Sequence, residues 1–561
     1  MKPYALYPTD ALQDLQGLVR RCTQKFAGKD AFRIRVDAST SRSVTYAQFG
    51  EDLSALGNAL MQRGLTGQRY AIMGENMYEW VLCYLAGTNS NTTVVPLDKE
   101  LMAPEIIGLV KRTGVCAFFY SDTYADIAQA VEETCGGITF INLNNSDPPD
   151  GHLSLSALLE EGRALLREGK DAFSHVRIDR ERPCAILFTS GTTGASKGVM
   201  LSHANIASNV VAACQMVLFY ESDVLMSVLP IHHSFECTCG ILCMLHYGTT
   251  ICFNANIKDL PSNLQLFRPT AMFLVPLYVE TFLKRIWKHA EQSGKAGKLR
   301  TGIRICNLLG ALGIDARRKL LKDVHAFFGG RLRKIVVGGA YAHPSLAEGF
   351  REFGIEVLQG YGITECSPLV AVNREKYYVD DSAGLIVPCC EARIDADPLL
   401  TGELLVRGTN VMLGYLDDPA ATDAVFDGEW FRTGDIGYLD KDGFLHITGR
   451  SKNIIVLKNG KNVSPEEIEA HFHHYPLVAQ AVVTPGDVDK LGVNSLIAMV
   501  YPNPELAEEM DPETLNAQLQ DIIDRINRKL PAYMQLAGFT LRDTPFPQTA
   551  SKKIIRYKIN A

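Results

Sequence analysis

The stretch Thr189-Ser190-Gly191-Thr192-Thr193-Gly194-Ala195-Ser196-Lys197-Gly198 combines three glycines with several hydroxyls and one lysine. Glycines let backbone amides approach an anion closely, and the hydroxyls and the Lys197 ammonium add donors and charge. That chemistry suits a triphosphate. The spacing is not that of a G-x-x-x-x-G-K-[ST] loop, in which lysine directly follows the second glycine. Taken alone, a loop of this composition also fits a surface turn. The close cysteine pairs, Cys237 with Cys239 and Cys389 with Cys390, lack a second pair at zinc-site spacing. The fourteen cysteines are therefore expected to be free thiols in a reducing cytosol, which makes a cytoplasmic protein the expectation.

The elements that must position this loop are legible as a rhythm. From Thr45 to Leu60 apolar residues fall at Tyr46, Phe49, Leu53, Leu56 and Leu60, the spacing of one helix face. Thr45 with Gln48 forms a capping box, and Gly64 is a plausible stop. Short apolar runs at 70–73, 93–96, 116–120 and 138–141 alternate with helical segments such as 79–86. This pattern predicts βαβ units and a largely parallel sheet. The alternation returns after Pro183, with strands expected at 185–188, 225–228, 272–275 and 334–337, so a second sheet-forming half is expected there. From about Glu391 to Thr448, shorter strands broken by Asp427-Gly428 and Asp442-Gly443 indicate a hairpin-rich region. The fold class expected is α/β. A large N-terminal domain, residues 1–450, would hold two αβ sheet subdomains and a β-rich subdomain, and a small α+β domain would occupy residues 451–561.

Composition narrows the partners. A chain that is 47% hydrophobic and 21% charged reads as globular. Its formal net charge of −7 leaves no basic excess to neutralise a nucleic acid, so none is expected. No basic region followed by an apolar run opens the chain, so no secretory signal is expected. The most apolar stretch, 240–253, is interrupted by His246 and Gly248 and is too short to cross a bilayer. No transmembrane segment is expected, and a peripheral membrane contact stays open.

The phosphate loop resembles the signature of the adenylate-forming superfamily, which contains acyl-CoA synthetases, peptide-synthetase adenylation domains and beetle luciferases. Further phrases follow in that family's order across nearly the whole chain. Gly338-Gly339-Ala340 resembles the adenine-side loop, and Tyr361-Gly362-Ile363-Thr364-Glu365 the second nucleotide motif. Thr433-Gly434-Asp435 resembles the ribose-binding motif, Gly449-Arg450-Ser451-Lys452 the inter-domain hinge, and the segment 547–553 the C-terminal lysine loop.

The resemblance implies roles that the residue chemistry supports. A carboxylate beside a triphosphate needs a cation between them, which makes Glu365 the expected Mg²⁺ ligand, with the adjacent Thr364 hydroxyl reaching phosphate. Tyr361 would flank the adenine with its ring face. Asp435 can accept both ribose hydroxyls, and Arg450 would reach a ribose or phosphate oxygen with its fork of donors. In Leu229-Pro230-Ile231-His232-His233, the family's Pro-x-x-His phrase falls on His233, whose ring is expected to gate the carboxylate pocket; a satisfied core histidine is the rival reading. Lys553 would steady the negative charge that builds as a carboxylate attacks the α-phosphate, with Lys552 standing where the family usually has glycine. The small domain would pivot at Lys452, and the segment 458–463, including Lys461, would then line a pantetheine tunnel.

The reaction so implied uses ATP, Mg²⁺ and a carboxylic acid to make an acyl-adenylate, from which a thiol displaces AMP. Coenzyme A is the default acceptor, and because the chain stops at Ala561 an acyl-carrier protein acting in trans is the close alternative. Glu236 follows Phe235 where amino-acid-activating relatives carry an aspartate nearby, which weighs mildly against an amino-acid substrate. The segment 78–86 looks most like long-chain fatty acyl-CoA synthetases; medium-chain and aromatic acids stay open, with Val275, Gly310 and Gly338 as candidates for setting pocket depth. A nucleotide-binding protein or ATPase without ligase chemistry is the alternative of a different class.

Overall fold

The computed structural model describes residues 4–189, 196–396, 401–458, 461–486, 488–489, 492–493, 495–508, 510–548 and 554–559. The expected capping box forms: the Gln48 amide donates to Thr45 Oγ1 at 3.1 Å, and the Thr45 amide donates to Gln48 Oε1 at 2.9 Å. It opens the helix Tyr46–Gln62, whose Phe49, Leu53, Leu56 and Leu60 are all buried. Gly64, at φ +69°, lies just past its end.

The strands Arg69–Met73, Thr93–Pro96, Ala117–Tyr120 and Thr139–Asn142 pair in parallel within one eight-stranded sheet. They read as unbroken apolar runs because both faces are covered. Tyr70, Ile72, Val94, Ala117 and Phe119 enter one hydrophobic core, while Ala71, Met73, Val95, Phe118 and Tyr120 enter another on the opposite face. A second sheet has parallel strands Val224–Ser227, Ala271–Leu274, Lys334–Val337 and Glu356–Gly362. Its Leu225, Phe273, Val336 and Leu358 point into the first of those cores, so the two sheets share a central layer of helices. Its Met226, Met272, Ile335 and Val337 face a third core.

One expectation needs correction. The run 185–188 does not begin the second sheet. It lies in the strand Pro183–Thr189, which pairs with Thr93–Pro96 and so belongs to the first. The hairpin-rich region is antiparallel and continues the ladder of the second sheet. The strand Glu356–Gly362 joins it to the second sheet: residues Glu356 to Gln359 pair in parallel with Lys334–Val337, and Gly360 to Gly362 pair antiparallel with Leu369–Val372. One continuous ladder results, because a single strand offers two edges that different neighbours can satisfy.

Beyond the strand Phe444–Arg450, the strands Val478–Pro485, Leu496–Pro502 and Leu536–Leu541 form a three-stranded sheet. The helix Pro512–Asn527 packs on it through Leu519, Ile522, Ile523 and Ile526, closing a core of its own. All fourteen cysteines are free thiols. Among the described residues, no helix is long and apolar enough to cross a membrane.

Candidate active site

Topology gathers the sequence motifs before any side chain is considered. Segments leaving the carboxyl ends of adjacent parallel strands converge at one edge of the sheet, where open α/β sheets bind ligands. After Ser227 comes the histidine segment, after Leu274 comes Val275, after Val337 come Gly338, Gly339 and Ala340, and the last strand carries Tyr361 and Gly362 itself. Small residues are required there. A Cβ on Gly338 would lie 3.1 Å from the Phe235 ring, and one on Gly362 would lie 2.3 Å from the Pro368 carbonyl oxygen. Gly339 has φ +85°, a conformation that side chains disfavour.

Asp435 and Arg450 face each other as register partners on the strands Trp430–Leu439 and Phe444–Arg450. Arg450 Nε donates to Asp435 Oδ1 at 2.8 Å, and the Tyr361 hydroxyl donates to Oδ2 at 2.5 Å. Asp435 is only 3% exposed, so these partners hold its charge where water cannot. The Asp435 charge raises the Arg450 pKa, and burial followed by Asp435 pushes the Tyr361 phenol well above its usual value. Arg450 thus meets the carboxylate beside it, and Tyr361 is anchored by its hydroxyl. Each carboxylate oxygen keeps a further lone pair for a ribose hydroxyl.

The neck of the phosphate loop is a hairpin in which Thr189 pairs with Lys197 across the strands Pro183–Thr189 and Lys197–Ser202. Arg112 braces it, donating to the carbonyls of Ser196 at 2.6 Å and Leu416 at 2.8 Å. Ser190, Gly191, Thr192, Thr193 and Gly194 lie outside the described residues. The Lys197 ammonium sits 4.4 Å from the Tyr415 ring centroid, and the Tyr415 hydroxyl donates to Glu365 Oε1 at 3.0 Å. That relay brings the loop's lysine and the carboxylate of the second motif to one place. Thr364 opens a short helical turn with Glu365, and its hydroxyl lies 3.5 Å from that of Ser234, next to His233. Glu365 and Thr364 together offer hard oxygen donors, the set that suits Mg²⁺.

Sequence reasoning missed two partners of the histidine segment. Asn76, from the first sheet, donates to the Leu229 carbonyl at 2.7 Å and accepts from the Ile231 amide at 3.1 Å, fixing the segment's path. Asp98 Oδ1 lies 3.3 Å from His232 Nε2. Burial opposes the Asp98 charge, but the hydrogen bond and charge of His232 outweigh it and hold the carboxyl down at about 2. The His232 and His233 rings are 4.4 Å apart. One donor atom from each of Asp98, His232 and His233 falls within 4.8 Å of the others. No local signal joins residue 98 to residue 232.

The segment continues into a π-helix, Phe235–Leu242, a form often found at functional sites. Glu236 on it is fully buried, and burial pushes its carboxyl up to about 8. A Cβ on Gly240, one turn on, would sit 2.8 Å from that carboxyl, so the glycine makes room for it. Phe235 and Cys239 on this helix, with Ala213, Phe273, Val336 and Gly360, line an apolar cavity that carries no charged side chain. Glu236 is not among its lining residues. Neither are Val275, Gly310 and Gly338: Gly310 is exposed on its helix, and Gly338 lies beside the Phe235 ring.

Lys552 and Lys553 lie outside the described residues. Their described flanks are tied down: Gln548 bridges Ile554, the Ile555 amide donates to the Pro547 carbonyl at 2.8 Å, and Arg556 pairs with Glu469 at 2.5 Å and Glu466 at 3.4 Å. Glu466 also accepts from Asn453 at 2.5 Å, beside Lys452 in the turn Ser451–Asn453, and Ser464 donates to the Thr448 carbonyl at 2.7 Å. The lysine segment's anchor is therefore connected to the strand that carries Arg450. Lys461 is elsewhere, its ammonium 4.1 Å from the Tyr533 ring centroid.

Residues 19–416 match the family described as AMP-binding enzyme, and residues 452–561 match the AMP-binding enzyme C-terminal domain. A long-chain-fatty-acid–CoA ligase, FadD15 of Mycobacterium bovis, is 30% identical over 500 residues, covering 85% of this chain and 81% of its own. An indoleacetate–CoA ligase of Aromatoleum aromaticum is 28% identical over 520 residues, 90% of each chain. The fold also matches the crystal structure of the anthranilate CoA ligase AuaEII in complex with anthranoyl-AMP. The TM-score is 0.79 at 20% identity, over 100% of this chain and 97% of that one.

Proposed function

The chain belongs to the family of AMP-binding enzymes, and from that premise we propose that it joins an apolar carboxylic acid, a medium- or long-chain fatty acid, to coenzyme A. It is an AMP-forming acid–thiol ligase of the adenylate-forming superfamily. In the first step a carboxylate oxygen attacks the α-phosphorus of ATP, forming acyl-AMP and releasing pyrophosphate. In the second the thiol sulfur attacks the acyl carbon, the thiol gives up its proton and AMP leaves.

The roles proposed for the motif residues are these. Asp435, held by Tyr361 and Arg450, takes the ribose hydroxyls. Gly338, Gly339 and Ala340 flank the base. Thr189, Lys197 and the glycine-rich segment between them receive the phosphates, while Thr364 reaches phosphate from the other side. Glu365 would hold Mg²⁺, which when bound supplies positive charge against the phosphate oxygens. His233 would gate the acid pocket, and Lys553 would favour the first transition state. Residues 451–561 would pivot at Lys452 between the two steps, the movement that would bring Lys461 toward the acceptor.

The observation that carries the choice of acid is the cavity lined by Phe235, Cys239, Phe273 and Val336 and bordered by Gly360, the residue before Tyr361. An acid whose carboxylate lies near the nucleotide motif would put its body into that uncharged space. Filling it tests the reading. Ala213→Phe is expected to lower kcat/KM for acids of ten or more carbons by about 10- to 200-fold, the range for lost apolar pocket contacts, while short acids keep theirs. A uniform loss across the acid series in a thioester assay would place the acid elsewhere.

A further inference from the structure

The helix Ala296–Ala311 turns only a narrow face inward, burying Ile303 and Cys306. Its outward side and the turn that follows are apolar: Leu308 is 70% exposed, Leu312 71%, Ile314 54%, Leu320 49% and Ile305 45%. Ile305, Leu308 and Leu312 recur at three- and four-residue spacing, which puts them in one stripe. Exposed single apolar residues are ordinary, but five within sixteen positions make a patch that calls for a partner.

The charge around this patch says what kind of partner. Residues 293–322 carry eight lysines and arginines and one acidic residue, Asp315, in a chain whose formal net charge is −7. Some of these bases are occupied: Lys295 pairs with Asp323 at 3.1 Å, Arg317 with Asp315 at 3.5 Å, and Arg318 donates to the carbonyls of Gly330 and Leu332. Lys298, Arg304, Lys319 and Lys322 are exposed and are not within ion-pair distance of an acidic side chain among the described residues. Protruding aliphatic side chains ringed by free cations match an anionic bilayer surface, where the apolar groups enter the acyl boundary and the cations meet lipid phosphates.

We propose that the helix Ala296–Ala311 and the segment up to Lys322 dock the protein peripherally on anionic phospholipid membranes. The proposal is independent of which acid the enzyme activates. Its test is sedimentation of the full chain with phosphatidylcholine vesicles and with mixed phosphatidylcholine–phosphatidylglycerol vesicles. The wild type is expected to sediment with the mixed vesicles and to be released by high salt. Leu308→Ser/Leu312→Ser/Ile314→Ser is expected to weaken partitioning roughly 100-fold through lost apolar burial. Arg304→Glu/Lys319→Glu is expected to weaken it about 10-fold or more through lost attraction. Because all five side chains are exposed, ligase activity without lipid reports that the variants remain folded. Failure of the wild type to sediment, equal sedimentation with neutral vesicles, or a triple variant that sediments like the wild type would each overturn the proposal. So would light scattering that shows a dimer dissolved by the triple variant with no vesicle binding, because a second copy of the chain would then be the occupant.

Discussion

Lys553→Ala is expected to lower acid-dependent exchange of pyrophosphate into ATP by about 10²- to 10³-fold, the effect of removing one well-placed charge donor from a transition state. Thioester formation from supplied acyl-AMP and coenzyme A is expected to stay within a few-fold of wild type. The split follows from where charge develops. As the carboxyl oxygen bonds to the α-phosphorus, negative charge concentrates on the oxygens in flight, and an ammonium there stabilises the transition state more than bound ATP. In the second step the leaving group is AMP and the attacking group a thiol, so the same ammonium has no comparable task. Arg556, paired with Glu469 and Glu466, gives the lysine segment a fixed base. Lys552→Ala serves as the control and should leave exchange near wild type. Equal loss of both half-reactions in Lys553→Ala would reject this division of labour.

Glu236→Gln is expected to make the protein markedly more stable above neutral pH relative to wild type. The carboxyl has an ordinary value of 4.5, and burial raises it to about 8 in the folded state. Below pH 4.5 both folded and unfolded chains hold the proton, so the group contributes no pH dependence. Between 4.5 and 8 the unfolded chain releases the proton while the folded chain keeps it, and stability therefore falls as pH rises through this window. The accumulated loss is of order 3–5 kcal/mol by pH 8. Glutamine removes the titration and keeps the shape that Gly240 accommodates. Its buried amide carries a penalty that does not change with pH, so the slope of stability against pH, not its absolute value, is the quantity to compare. Urea midpoints at pH 5 and pH 8 measure it: the wild type should fall steeply between them and the variant much less. Parallel behaviour of the two proteins would mean that the carboxyl ionises in the folded state.

The local elements were legible because each rests on short-range chemistry. Thr45 and Gln48 cap a helix by reciprocal bonds three residues apart, and runs such as Thr93–Pro96 announce a strand covered on both faces. The strand expected at 334–337 likewise forms, and it leads directly into Gly338. What was not legible depends on distant pairing. Nothing near residue 185 says that its strand adds to Thr93–Pro96 and not to the sheet that follows in sequence. The pairing of Arg450 with Asp435 follows from a strand register that no local sequence feature announces. Asp98 and Asn76 come to the histidine segment from the other sheet, and the apolar cavity is assembled from residues between Ala213 and Val372. The conversion of 235–242 into a π-helix also has no sequence signature here, although it sets which side chains of that segment face the cavity.

The central claim is that this site joins a carboxylate to the α-phosphorus of ATP, and pyrophosphate exchange reads that bond directly. Labelled pyrophosphate should enter ATP only when an acid is supplied, with no thiol required, and most strongly for apolar acids that fill the cavity beside Gly360. Release of inorganic phosphate from ATP without any acid, together with no exchange across acids graded by chain length and aromaticity, would contradict the account.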